Sequence, residues 1–502
     1  MKKKDIAVIG GGLGGLSASI RLAADGHQVT LFEQNERLGG KCNIREGKGY
    51  TFDTGPSILT MPWVLEQLFE SAGRNVNDYM TIERVEPQWR TFFEDGVTLD
   101  VKGDLPAMLK DIEELSPQDA APFLEYLSYS AKMYDLCKKS FYKKSLSGVN
   151  DLRNLHNFKE LMALDPFKNL DAGTKKFIQD PHLRQLINFF VMYVGSSPYL
   201  APAVLSQLAY VQMGLGIFYV KGGMYKIIQG MERLLQELGV EIQTNAKVER
   251  IVYKDGEARG VELADGKTVH ADVIVSNLEA IPTYQHLLSE LPQAEPTEKM
   301  VKKYEPSVSG LVLLLGINRT YDHLRHHNFF FSKDPELEFK QIFEDKKPAD
   351  DPTVYIGISS KSDPEQAPDG KENHFVLTHV PPLFGEENWE LYRESYRETV
   401  LKKLERNGLE DIRDYIEFEY TFTPDDLKSL YGSTGGSIYG TVADRKKNGG
   451  FKVPSRSDRL ANLYFVGGST HPGGGVPMVT LSGQLTADLI AEDMRSTSKH
   501  IG

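Results

Sequence analysis

An α/β fold built on a parallel, nucleotide-binding sheet is predicted by three features of this 502-residue chain. Near the N-terminus a run of β-branched residues leads into clustered glycines and then into an apolar-periodic segment. In the middle, a stretch alternating with period two closes on a second β-branched run. Near the C-terminus a further short apolar run ends in glycines and opens a long helical pattern.

The first feature is "DIAVIGGGLGGLSASIRLAADGHQVTLFEQNERLGGK" (Asp5 to Lys41). "IAVIGGG" reads as a buried strand, "LGGLSASIRLAADG" as a helix closed by Gly26, and "QVTLFE" as the returning strand. Gly10, Gly12 and Gly15 satisfy the Rossmann-type G-x-G-x-x-G pattern. The first permits a tight turn, the second lets backbone approach a pyrophosphate, and the third lets helix and strand pack closely. The helix N-terminus adds partial positive charge. Glu33 ends the second strand roughly 20 residues past Gly10, the spacing expected for a carboxylate on a ribose 2′-hydroxyl, and it disfavours a 2′-phosphate, so NADP is disfavoured. A second glycine pair, Gly39 and Gly40, lies between Arg37 and Lys41. A plain nicotinamide enzyme has no need of it. It suits FAD, whose chain continues past the pyrophosphate.

The middle of the chain adds the other layers. "QWRTFFEDGVTLDV" reads as a hairpin turning at Asp95-Gly96, and the segment from Asp104 to Lys139 as two or three amphipathic helices. Leu183 to Met224 is the most apolar and aromatic stretch. It is interrupted by Gly, Pro and polar residues, and two readings stay open for it: core helices of a second lobe, or the lining for a long apolar ligand or a face on a membrane. The segment from Glu237 to Asn277 reads as a β-meander turning at Asp255-Gly256 and Asp265-Gly266, with "ADVIVSN" returning to the nucleotide sheet. "SGLVLLLGI" and "HFVLTHVPP" read as buried strands of a second sheet. His326, His327, His374 and His379 lack metal-ligand spacing, so no metal is expected.

At the C-terminus, "NLYFVGGSTHPGGGVPMVTLSGQLTADLIAEDM" reads as a strand, a glycine loop and a helix opened near Pro477. Such a helix would aim its positive end at a flavin ring and stabilise the anionic reduced form. The segment has no cysteine, which excludes a cysteinyl flavin. Where some flavoproteins place an acid after the strand glycines, Ser469 stands, leaving hydroxyls or backbone to hold the ribityl chain.

Composition narrows the class. A formal charge of −12 argues against nucleic acid as a partner. The opening "MKKK" is not followed by the apolar region of a secretory signal, and no run is long enough for a spanning helix. Cys42 and Cys137 make neither a disulfide framework nor a metal site, which points to a reducing cytoplasm. The oligomeric state is open.

The N-terminal stretch followed by "FDTGPS" resembles the FAD-containing amine oxidase and phytoene desaturase superfamily. "FDTGPSILTMP", "QWRTFFEDG", "YVGSS", "KGGM", "SNLEAIPTY", "GSIYGTVADRKKNGGFKVP" and "YFVGGSTHPGGGVPMVTLSGQ" fall in the order of its carotenoid oxidoreductases. Their wording is similar to the bacterial diaponeurosporene oxygenase branch, with the diapophytoene desaturase branch as neighbour. The resemblance implies an amine oxidase-like FAD-binding domain with an inserted α+β substrate domain and a helical, membrane-facing lobe. FAD-binding parts are expected at 1–90, 221–285 and 426–502, the helical lobe at 91–220 and the substrate sheet at 286–425. It implies cofactor contacts from Gly10, Gly12, Leu13, Gly15, Glu33, Gln34, Arg37, Gly39, Gly40, Lys41, Gly55, Pro56, Ser57, Val248, Gly467, Gly468, Gly475, Val476, Pro477 and Met478. The implied activity is oxidation of a terminal methyl of a C30 carotenoid to an aldehyde. An uncharged polyene offers no handle for a Ser or His catalyst, so the flavin would carry the redox step and no acid or base is named. Phe189, Phe190, Tyr193, Phe218 and Tyr219 are the candidate channel residues. The protein would rest on the inner face of the cell membrane, with "KKK" as a possible aid to docking. Competing readings are the desaturase, an amine oxidase, and a non-enzymatic prenyl-lipid carrier of the GDP-dissociation-inhibitor type, which a bound flavin would exclude.

Overall fold

The strand Asp5–Ile9 lies at the centre of a five-stranded, all-parallel sheet, between Val273–Ser276 and Gln28–Phe32. Leu463–Phe465 and Glu241–Gln243 form the two edges. The computed structural model describes residues 3–291, 297–385 and 388–500; of the basic opening run, Lys2 lies outside them. Ile6, Ala7, Val8 and Ile9 are all buried, as a strand covered on both faces requires. The chain thus reaches one sheet from three distant stretches, as the sequence predicts. Helix Leu13–Ala24 covers one face together with Tyr225–Glu237 and Val476–His500. Backbones touch where these helices cross: a Cβ on Gly483 would lie 2.6 Å from the Gly14 carbonyl oxygen.

The predicted meander is present as Val248–Lys254, Glu257–Leu263 and Thr268–His270. Asp255 and Gly256 both have positive φ (52° and 76°), the geometry that two-residue hairpin turns demand.

The second sheet has seven strands in the order Ile416–Phe422, Ser309–Ile317, Glu372–Val380, Val354–Gly357, His327–Phe330, Trp89–Phe92 and Thr98–Val101. Its two faces serve different cores. Leu311, Leu313, Leu315 and Val376 pack beneath helix Arg393–Arg406, whereas Val312, Leu314, Phe375 and Leu377 face the helical segments before residue 215. The hairpin turning at Asp95-Gly96 forms as expected but joins this sheet, because Trp89–Phe92 pairs in parallel with His327–Phe330. The expected boundary at 90/91 therefore falls inside a strand.

Two helices, Leu105–Leu115 and Ala120–Lys139, occupy the segment predicted to hold two or three. The apolar stretch Leu183 to Met224 is made of helix Pro181–Phe189, its direct extension Phe190–Val194, a continuous helical run through Ala203–Ser206, Gln207–Ala209 and Tyr210–Leu215, and strand Phe218–Val220. Gly195 (φ +63°) stops the second of these. Among the described residues no helix is long and apolar enough to cross a membrane.

One buried charge ties the second sheet together. Lys403, 1% exposed, donates to the Phe331 carbonyl at 2.6 Å and pairs with Glu94 and Asp351, which Arg406 also holds. Lys403→Met is expected to cost about 1–3 kcal/mol, since it removes the donor to the Phe331 carbonyl and one partner from two carboxylates that Arg406 still holds. Chemical denaturation checks this. Burial alone would raise both carboxyls, but Lys403 and Arg406 outweigh it at Glu94, and the Lys333 backbone N–H together with Lys403 and Arg406 outweighs it at Asp351, so both lie below the ordinary range. Folded values below unfolded ones stabilise at neutral pH, and that contribution disappears as pH falls through the lowered values. Wild-type stability should fall below about pH 4, and Lys403→Met should flatten that acid limb.

Candidate active site

A continuous cavity of about 410 Å³ runs from the C-terminal edge of the parallel sheet to the face of the seven-stranded sheet. Its first half is the predicted grip. Gly10 (φ +94°) makes the turn, and its N–H donates to the Phe32 carbonyl at 2.7 Å. Gly10, Gly12 and Leu13 line the cavity. The helix opens at Gly12 with no side-chain cap, so its N-terminal amides face that space. Gly15 does not line the cavity: a Cβ there would lie 2.1 Å from the Gly10 carbonyl oxygen, so it serves helix–strand packing.

Glu33 is buried and rigidly held. One carboxylate oxygen accepts the Gly11 N–H at 2.8 Å, and the other accepts the Asn35 backbone N–H (2.8 Å) and side-chain amide (2.9 Å). Gln34, Asn35, Ala246 and Val248 line the cavity beside it. Arg37 is exposed and outside the lining, because Leu38 takes the inward position of that turn.

The second glycine pair has a structural reason. Gly39 bridges Gly12 and donates its N–H to the Gly11 carbonyl at 2.8 Å, so the two glycine loops form one wall. Gly39 and Gly40 line it. Lys41 donates to the carbonyls of Ser437 (2.6 Å) and Ile438 (3.2 Å); burial lowers its pKa and Glu279 opposes that shift. In "FDTGPS", Gly55, Pro56 and Ser57 all line the cavity. A Cβ on Gly55 would meet the Lys41 carbonyl oxygen at 1.8 Å. Asp53 anchors the motif by accepting the Met224 and Tyr225 amides, at 2.9 and 3.1 Å, at the start of helix Tyr225–Glu237. Burial pushes Asp53 up to about 6.

The C-terminal loop closes the grip. Gly467, Gly468, Gly475, Val476, Pro477 and Met478 line the cavity, and helix Val476–His500 begins there. Neither Ser469 nor Thr470 lines it. The Thr470 hydroxyl donates to the Gly467 carbonyl at 3.2 Å, so glycine backbone is what this loop presents.

The second half is an apolar chamber, and most of the expected channel residues miss it. Tyr193 lines it; Phe189, Phe190, Phe218 and Tyr219 do not. Phe189 and Phe190 end a helix and turn into the core, against Phe329 and Phe331 and onto Trp89. Phe218 and Tyr219 belong to a strand paired with Ile82–Arg84, and the Tyr219 hydroxyl lies 3.3 Å from Asp363. The floor is instead a cross-strand row, Val312–Leu377–Tyr355–Phe329, which are register partners on four neighbouring strands. Phe375 and His379 flank Leu377 with period two on the same face. Leu208, Val211, Gln212 and Tyr439 complete the wall. On the grip side, Asn277, Leu278, Glu279, Tyr431 and Ser433 also line the cavity without having been anticipated. Asn277 follows the strand Val273–Ser276, so the rule that ligands sit beyond the carboxyl ends of parallel strands could have found it.

Glycine loops on two helix N-termini, a fixed ribose-side acid and an attached apolar chamber define a dinucleotide-dependent enzyme that presents its cofactor to a second ligand. The chain belongs to the flavin containing amine oxidoreductase family, whose model matches residues 13–491, so its cofactor is a flavin and its class an oxidoreductase. It is 48% identical over 494 residues to the 4,4'-diapolycopene oxygenase of Methylomonas sp, covering 98% of each chain. It is 44% identical over 491 residues to the 4,4'-diaponeurosporene oxygenase of Staphylococcus haemolyticus, covering 98% of this chain and 97% of that one. Cyclohexylamine oxidase from Brevibacterium oxydans shares the fold at TM-score 0.60 and 14% identity, over 98% of this chain and all of that one. A Rab GDI from Plasmodium falciparum shares it at TM-score 0.51 and 15% identity, over 84% and 88% of the two chains.

Proposed function

We propose that the protein is an FAD-dependent carotenoid oxygenase that converts a terminal methyl of a C30 carotenoid, of the diaponeurosporene or diapolycopene kind, to an aldehyde with oxygen, in a staphyloxanthin-like pathway. The observation that carries this reading is full-length similarity to two oxygenases named for such substrates, in a chain whose cofactor grip opens into an apolar chamber.

The residue assignment follows the cavity. Glu33, Gln34 and Val248 take the adenosine end, and Gly10, Gly12, Leu13, Gly39, Gly40 and Lys41 take the pyrophosphate. Gly55, Pro56, Ser57, Gly467, Gly468, Gly475, Val476, Pro477 and Met478 surround the ring end. Flavin, when bound, supplies hydride acceptance and oxygen reactivity. The chain's part is to fix the polyene against the ring, keep water away and stabilise the reduced form through the N-terminus of helix Val476–His500. The domain division is kept with its first boundary moved ahead of Trp89.

Incubation of the flavin-loaded protein with diaponeurosporene and oxygen in liposomes, followed by mass spectrometry, tests the activity. A pigment that gains one oxygen and loses two hydrogens supports it; loss of hydrogens alone moves the protein to the desaturase reading. A purified protein without flavin would favour the GDP-dissociation-inhibitor-like carrier.

We also place the protein on the membrane surface through the segment 143–167. Phe158 and Phe167 are 78% and 74% exposed, and exposed Lys143, Lys144 and Lys159 lie in the same segment of an otherwise acidic chain. Apolar side chains beside basic ones suit an anionic lipid surface. Tyr142, next to this segment, lines the cavity. A Phe158→Glu, Phe167→Glu double variant is expected to lose at least about tenfold in sedimentation with anionic vesicles, because each buried Phe contributes about 1.5–3 kcal/mol, while its flavin spectrum stays unchanged. Undiminished binding would place the docking face elsewhere.

A further inference from the structure

The apolar chamber carries polar atoms that a hydrocarbon cannot satisfy. Tyr193, Gln212 and His379 line it, and the Tyr193 hydroxyl, Gln212 Oε1 and His379 Nε2 are buried with no hydrogen-bond partner. Neighbouring Tyr355 differs: its hydroxyl lies 2.8 Å from Ser57 Oγ and 2.7 Å from His327 Nδ1. Buried polar groups are nearly always satisfied, and each exception calls for an explanation. Three line this one cavity.

The three come from separate elements, Phe190–Val194, Tyr210–Leu215 and Glu372–Val380, so the fold and not local sequence brings them together. Tyr439, a neighbour of Tyr193 and of His379, links these two to the ring end of the grip. The His379 ring lies 6.1 Å from that of Tyr439, and Tyr439 backbone abuts Gly474, where a Cβ would meet its carbonyl oxygen at 2.7 Å. Burial, with Tyr355 and Tyr439 nearby, pushes the Tyr193 phenol up, and burial pushes His379 down to about 4. Both are neutral at pH 7. A neutral phenol donates one hydrogen bond, a neutral imidazole donates or accepts, and an amide oxygen accepts.

We propose that Tyr193, Gln212 and His379 form a subsite for a hydroxyl or carbonyl oxygen at the end of a long apolar polyene. The inference rests on the carotenoid reading and deepens it: the cavity prefers a polyene end already bearing oxygen to the parent hydrocarbon. A carbonyl accepts from Tyr193 or His379, and a hydroxyl can also donate to Gln212. A first oxidation product would then be held, not released, and the same terminal carbon would stay in place for the next step.

The flavin-loaded protein, in detergent micelles, is titrated with a C30 hydrocarbon polyene and with its terminal aldehyde, following the visible flavin and polyene bands. The aldehyde is expected to bind at least about tenfold more tightly, the scale of one or two net hydrogen bonds. Tyr193→Phe and His379→Leu should each bring the ratio of aldehyde to hydrocarbon affinity close to one; Gln212→Leu serves if either fails to fold. Equal affinity for the two polyenes, or a preference that survives in the double variant, overturns the subsite while the carotenoid reading stands. Failure of both polyenes to bind overturns the carotenoid reading and the subsite with it.

Discussion

Gly12→Ala is expected to leave a folded protein with a weakened hold on flavin, and Gly15→Ala to damage the fold itself. Gly12 has extended backbone (φ −77°, ψ 173°) that alanine adopts freely, so no backbone strain is added. Its Cβ would meet only Asn277 Nδ2, at 2.7 Å, the end of a side chain that can turn. The methyl nevertheless enters the wall where a phosphate must approach backbone amides. Stability without cofactor should change by no more than about 0.5 kcal/mol, the range of a tolerated substitution. Affinity for added FAD should fall at least about tenfold, one favourable contact's worth of free energy.

Gly15 is the opposite case. Its Cβ would sit 2.1 Å from a backbone oxygen that cannot move without the strand, so the helix must lift from the sheet. Leu16, Ala18 and Ile20 would leave a packed core, a loss on the order of 3 kcal/mol. Thermal unfolding of both variants, with and without added FAD, separates the two roles. Unchanged FAD affinity in Gly12→Ala would show that phosphate does not approach there.

The grip was legible because its information is local. Each glycine sits at a fixed offset from a strand or helix end, and the same holds for Glu33 and for the Asp255-Gly256 turn. Arg37 was the exception, since motif spacing does not report which side chain of a turn faces inward, and Leu38 does. The chamber was not legible, because register between distant strands builds it. Nothing in "SGLVLLLGI" shows that Val312 will stand beside Leu377, or Leu377 beside Tyr355. The aromatic stretch misled for a related reason. Phe190 and Tyr193, one 3-10 turn apart, both stack on Trp89, yet only Tyr193 reaches the cavity, a difference that spacing in the sequence does not report. The period-two signal in Phe375, Leu377 and His379 was available, but only the second sheet's placement shows which alternate set faces the ligand.

That placement gives the second large effect. Leu377→Trp is expected to lower polyene turnover at least about 100-fold with flavin retained, the scale of a misplaced substrate. Leu377 is at the centre of the Val312–Leu377–Tyr355–Phe329 row, partly exposed to the cavity, so an indole there projects into the chamber and not into packed core. Its neighbour Val376 faces the other side of the same strand, 1% exposed beneath helix Arg393–Arg406. Val376→Trp should therefore overpack that core and cost about 1–3 kcal/mol or more, with turnover lost only as the fold is lost. Comparing flavin content, unfolding and pigment conversion across the pair distinguishes blockage from destabilisation. If Leu377→Trp oxidised the polyene at the wild-type rate, the substrate would have to reach the flavin by a path that avoids this row. The cross-strand floor would then be core, and the polar atoms of Tyr193, Gln212 and His379 would have lost the chamber that gives them a ligand.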